Sequence, residues 1–149
     1  ASLHPAEGAA LPLQSLHTLF VEDNALASWE ALQPLASLPL LHTLNLNGNS
    51  IAAVPPLSGF ASLRVLFLRA NPISEWSSID HLDQGLSQLR EARLAELPLL
   101  ADLPAAAARR ILIGRLGELT VLNGGEVKGR SRDDAERFYL RQVLQGLPE

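Results

Sequence analysis

The chain has 149 residues, 47% of them apolar and 19% charged, with a net charge of −4. That composition supports one folded domain and excludes a disordered chain. The lack of any run of about 18 apolar residues excludes a membrane helix. The absence of Cys excludes disulfides and thiolate metal centres, and the acidic balance argues against general nucleic-acid binding.

There is no Met and the first residue is Ala1, which predicts a piece excised from a longer polypeptide. Residues 1–63 contain no Lys or Arg, whereas eight of the 12 basic residues lie between Arg109 and Arg141. The 32 leucines, about a fifth of the chain, are spread at regular intervals.

Residues 1–15, with Leu3, Leu11 and Leu13 among Pro and Gly, are expected to form a lead-in turn or strand. Four segments then align without gaps, starting at Leu16, Leu41, Leu63 and Leu89. A truncated fifth starts at Leu116, so the starts are 25, 22, 26 and 27 residues apart. The second reads Leu41-His-Thr-Leu44-Asn-Leu46-Asn-Gly-Asn49-Ser-Ile51. The shared pattern, L-x-x-L-x-L-x-x-N-x-L, is that of a leucine-rich repeat.

Alternation in x-L-x-L predicts short parallel strands with their leucines on one face. Asn24, Asn49 and Asn71 turn the chain inward, where a buried amide satisfies the backbone of the next turn. The expected fold is α/β: a right-handed leucine-rich-repeat solenoid over residues 1–149, about five repeats, with a helical or 3₁₀ convex side. Trp29, Val54 and Trp76 each follow their Asn by five residues, and equivalent placement assigns both Trp to the core. Ser28 and Ser74 are predicted helix caps. Pro55-Pro56 disfavours a helix in the second return segment. An extra helix is expected from Pro104 to Leu116. Leu122-Asn123-Gly124-Gly125 turns the chain out. Ser131-Arg-Asp-Asp134 then predicts a capping box opening a C-terminal cap helix over about residues 131–145, its apolar face formed by Ala135, Phe138, Tyr139 and Leu144.

The sequence contains no nucleotide-binding glycine motif and no catalytic constellation. His17 and His42 share a repeat position near Glu22, but two His and one carboxylate fall short of a metal site, so no metal or cofactor is expected. Glu91 and Glu118, also in one repeat position, are read as partners of Arg93 across the ladder, and the arginines from Arg130 to Arg141 as a solvated helix face.

What remains is a surface. Residues between the leucines face the concave side, giving a sheet about 20 Å across, the scale of a protein interface. Phe20 and Phe67 flank Asn45 there, and phenylalanines on a solvent face mark partner anchors. Arg69 and Arg93 add positive charge suited to an acidic partner. The candidate partner-binding set is therefore Phe20, Asn45, Asn47, Phe67, Arg69, Glu91 and Arg93.

Asn71-Pro72-Ile73-Ser74-Glu75-Trp76-Ser77-Ser78-Ile79 resembles the N-x-I-S-x-W turn of the tubulin-folding cofactor E family. The run from Ile111 to Gly124 is similar to the same family. So is Arg132-Asp-Asp-Ala135-Glu136-Arg-Phe-Tyr139-Leu140-Arg141, which matches its R-x-x-A-E-x-x-Y-(I/L)-R signature. The resemblance covers most of residues 63–141. It implies a non-enzymatic, monomeric, cytoplasmic and cytoskeleton-associated chaperone module. Such a module binds α-tubulin and, with the other cofactors, assembles or dissociates the tubulin heterodimer. The family's CAP-Gly pattern is absent from these glycines. The alternative is another intracellular leucine-rich adaptor of the splicing-factor or phosphatase-regulating type.

Overall fold

A computed structural model of the chain describes residues 14–146; most of the expected lead-in, residues 1–13, lies outside them. Among the described residues six short strands form one sheet in sequence order. β1 (Thr18–Phe20), β2 (Thr43–Asn45), β3 (Val65–Phe67), β4 (Glu91–Arg93) and β5 (Val121–Leu122) run parallel, while β6 (Gly125–Glu126) returns antiparallel to β5.

Alternation sets the faces. Leu19, Leu44, Leu66, Ala92 and Leu122 share one register row, and Leu46, Leu68 and Leu94 follow them into the core. No repeat buries its own leucines without the next, so each strand is stabilised mainly by stacking.

The turns after the strands share one conformation. Asp23, Gly48, Ala70 and Glu96 hold the same repeat position, each with φ between 53° and 71°. The next residue is Asn24, Asn49, Asn71 or, in the fourth repeat, Leu97. Asn49 and Asn71 are buried as the repeat pattern predicts. Asn49 Oδ1 accepts from the amides of Asn24 and Leu26, both at 3.0 Å, while its Nδ2 donates to the carbonyls of Val21 and Leu46. Asn71 repeats this one turn later with Ile51, Leu46 and Leu68. Asn24 departs from the expectation: it is exposed, and its amide reaches only the carbonyl of Glu22. As the outermost turn described, it has no preceding turn to serve.

The return segments differ from one another. A 3₁₀ helix (Trp29–Ser37) is capped by Ser28, whose Oγ accepts from Glu30 N at 3.0 Å. The second return is extended through Pro55-Pro56. Its backbone is satisfied from the neighbouring helix α1 (Trp76–Gly85): Val54 N donates to buried Ser78 Oγ, and His81 Nδ1 lies 2.6 Å from Val54 O, where it must carry the proton. Glu75 rather than Ser74 occupies the N-cap of α1, with no side-chain bond. Trp29 is buried and meets Phe60 edge-on at 5.9 Å. Trp76 meets the core reading in part: it packs against the core but is only half-buried, roofed by Arg115 at 4.9 Å.

The fifth repeat corrects the expected register. Leu122, not Leu119, pairs with Ala92, and Val121, not Glu118, pairs with Glu91. The repeat therefore starts at Leu119. Asn123 (φ 52°) and Gly124 (φ 81°) form a two-residue turn with both φ values positive, the hairpin geometry that Asn-Gly favours. Asn123 also exchanges bonds with the Leu94 backbone, serving the turn in which Leu97 replaces the ladder Asn.

Helices α2 (Ala105–Arg115) and α3 (Gly129–Gly146) close this end, α3 starting ahead of Ser131. They approach closely at Gly114, where a Cβ would lie 2.8 Å from that of Tyr139. Of the expected apolar face of α3, Ala135 is buried, Phe138 and Tyr139 are half-buried, and Leu144 is exposed. The arginines here are not simply solvated. Arg132 donates to the carbonyls of Ile113, Leu116 and Leu119, while Arg109 donates to those of Leu122, Gly125 and Glu126.

Candidate partner-binding surface

The open face of the sheet carries the residues between the leucines, arranged in rows by strand register. One row holds Thr18, Thr43, Val65, Glu91 and Val121, and the next holds Phe20, Asn45, Phe67 and Arg93. Phe20 is 61% exposed, and Phe67 is half-buried. The structure thus places Phe20, Phe67 and Arg93 on one line, with Glu91 beside them.

Asn45, taken from the alternation as a contact residue, is only 7% exposed. It lies between Phe20 and Phe67 in the register, and its Oδ1 accepts from Asn47 N at 3.0 Å. Its polar group is committed to the turn rather than to a partner. Asn47 Oδ1 likewise accepts from Arg69 N, at 2.9 Å. Arg69 is exposed and pairs with exposed Glu96 at 2.5 Å, so its charge is partly offset. That carboxylate lies a full repeat away in sequence, beyond what alternation alone reveals.

Arg93 does not pair with Glu91 or Glu118. Its guanidinium covers the Phe67 ring instead, and its buried Nε has no hydrogen-bond partner among the described residues.

His17 and His42 lie side by side with ring centroids 5.6 Å apart and planes tilted by 39°. Among the described residues no group of three or more His, Cys, Asp or Glu could hold a metal ion, and no helix is long and apolar enough to cross a membrane.

Sequence reasoning missed Arg115. Its Nη1 bonds both oxygens of Asp80, at 2.9 and 2.8 Å, and its guanidinium sits over both Trp76 and Tyr139. It ties α1, α2 and α3 together; spacing along the chain gives no sign of this.

The comparisons with known proteins agree with this architecture. A family model for leucine-rich repeats in two copies matches residues 39–84. Tubulin-folding cofactor E of Arabidopsis thaliana is 35% identical over 144 residues, covering 89% of this chain and 27% of that protein. The human tubulin-specific chaperone cofactor E-like protein is 33% identical over 136 residues, covering 87% of this chain and 32% of its own. The chain thus spans about a third or less of the length of these relatives. Among solved structures, a chain of the Drosophila melanogaster SNF/U2A′ complex superposes with a TM-score of 0.75 at 25% identity, covering 98% of this chain and 83% of that one. The repeat model and the shared fold show a leucine-rich-repeat domain, and over most of its length this chain is similar to proteins of the tubulin-folding cofactor E family.

Proposed function

We propose that this domain is a non-catalytic protein-interaction module of a tubulin-folding chaperone. It contacts α-tubulin through the open sheet face and works with other cofactors to assemble or dissociate the heterodimer. The setting of that reading is cytoplasmic and associated with the cytoskeleton, with the domain acting as a monomer. The observation that carries the site is Phe20, a large apolar side chain 61% exposed in register with Phe67 and Arg93. Aromatic and Arg side chains on one line are the usual anchors of a protein interface. Phe20, Phe67 and Arg93 form its centre; Asn47, Arg69 and Glu91 form its edge.

The test is binding of purified α/β-tubulin to this chain and to a Phe20→Ala, Phe67→Ala variant with an unchanged circular dichroism spectrum. Saturable binding that weakens at least about tenfold in the variant supports the site. Equal binding moves the contact off this face. No saturable binding by the unaltered chain at about 100 μM removes the tubulin reading for the isolated domain.

A further inference from the structure

A second row runs across the strand starts and borders the candidate surface at Glu91. In the first four repeats the residue after the leading leucine is basic or imidazole: His17, His42, Arg64 and Arg90. The backbone locks them side by side. His42 N donates to His17 O, Arg64 N to His42 O and Arg90 N to Arg64 O, at 2.8–2.9 Å. At about 4.8 Å per strand the row spans roughly 15 Å, the length of four or five extended residues.

Two adjoining hollows of about 410 and 340 Å³ lie along it and share His42 and Arg64. Exposed Leu40 lines the first, and Glu91, a carboxylate, lines the second. None of the four ion pairs among the described residues involves Arg64 or Arg90. Arg90 Nη1 donates only to the carbonyls of Ser87 and Leu89, so its charge is not neutralised.

We propose that this row is a docking groove for an extended acidic peptide segment of a protein partner. Carboxylates are received by Arg64 and Arg90 and by N–H groups of His17 and His42, while an apolar side chain rests on Leu40. A chain of net charge −4 repels such a peptide over much of its surface, which confines binding to a local cationic row. The proposal rests on the reading of the domain as a protein-binding module, and adds the chemistry of a partner segment.

The test uses a fluorescein-labelled, glutamate-rich peptide with interspersed leucines, its glutamine counterpart, and fluorescence anisotropy at low salt. The glutamate peptide is expected to bind and the glutamine peptide to fail. Arg64→Glu should weaken binding roughly five- to tenfold, and Arg64→Lys should retain most of it. Arg130→Glu with Arg137→Glu, on exposed positions of the cap helix, should leave it unchanged. No binding, equal binding by Arg64→Glu, or an equal loss in the cap-helix variant overturns the groove. So does stronger binding of a single-stranded oligonucleotide to the same row. Tubulin binding without peptide binding removes the groove alone; peptide binding without tubulin binding removes the chaperone reading alone.

Discussion

The guanidinium of Arg93 lies over the ring of Phe67, its central carbon 5.4 Å from the ring centroid. The two residues are register partners on β4 and β3. A cation on an aromatic face at a partly exposed site is worth about 0.5–1 kcal/mol. Arg93→Ala should therefore lower stability by about that amount in urea unfolding. In a double-mutant cycle, the Arg93 effect should shrink when Phe67 is already Leu. An unchanged Arg93 effect in that background would show that the stacking carries no energy.

The Asn ladder makes a sharper contrast. Asn49→Ala leaves part-buried amides and carbonyls of two turns without partners and should cost about 1–3 kcal/mol. Asn24→Ala, at an exposed position bonded within its own turn, should cost at most about 0.5 kcal/mol. Chemical denaturation of both variants reads the difference, and equal costs would refute the ladder's role.

Ala70 and Gly48 hold equivalent left-handed positions, at φ 61° and 71°. Relieving the Cβ strain with Ala70→Gly should raise stability by about 0.5–1 kcal/mol. The reverse change, Gly48→Ala, should lower it by a similar amount through the strained φ, since the Asp23 carboxylate that a Cβ would meet ends an exposed side chain that can turn aside. Thermal unfolding of the pair should shift in opposite directions.

Arg115 joins a bond shared by one nitrogen, Nη1, between both oxygens of Asp80 to contacts over the Trp76 and Tyr139 rings. Arg115→Ala should cost about 2 kcal/mol and shift Trp76 emission to the red as its ring meets water. Arg115→Lys should recover only part of the stability, since an ammonium can reach the Asp80 carboxylate but does not lie as a plane on the two rings. Full rescue by Lys would reduce the contact to simple charge.

The positions legible in the sequence were those fixed by period alone. Leu44, Leu66 and Asn71 each answer to a spacing, and the spacing reflects the stack itself. The fifth repeat misled because Leu116-Gly-Glu-Leu119 and Leu119-Thr-Val-Leu122 satisfy the same L-x-x-L pattern. Only the Asn123-Gly124 hairpin decides between them. Trp76 shares its repeat position with Trp29, but it opens α1 beneath an arginine from α2, a neighbour that periodicity does not supply. On the surface, alternation named the row of Phe20, Phe67 and Arg93 but not the covering of Asn45, which depends on what stands on both adjacent strands. Arg109 and Arg132 were unreadable for a related reason: their acceptors are backbone carbonyls, which carry no residue signature.

Because β6 doubles back on β5, the direction of the chain is reversed at the last edge of the sheet. Arg109 clamps that reversal through three carbonyls. Duplicating a repeat after this point would present a strand of the wrong polarity to the stack. Evolution can therefore lengthen such an array only by inserting a unit upstream of Leu119, where parallel neighbours wait on both sides, and the hairpin acts as a stop codon written in geometry.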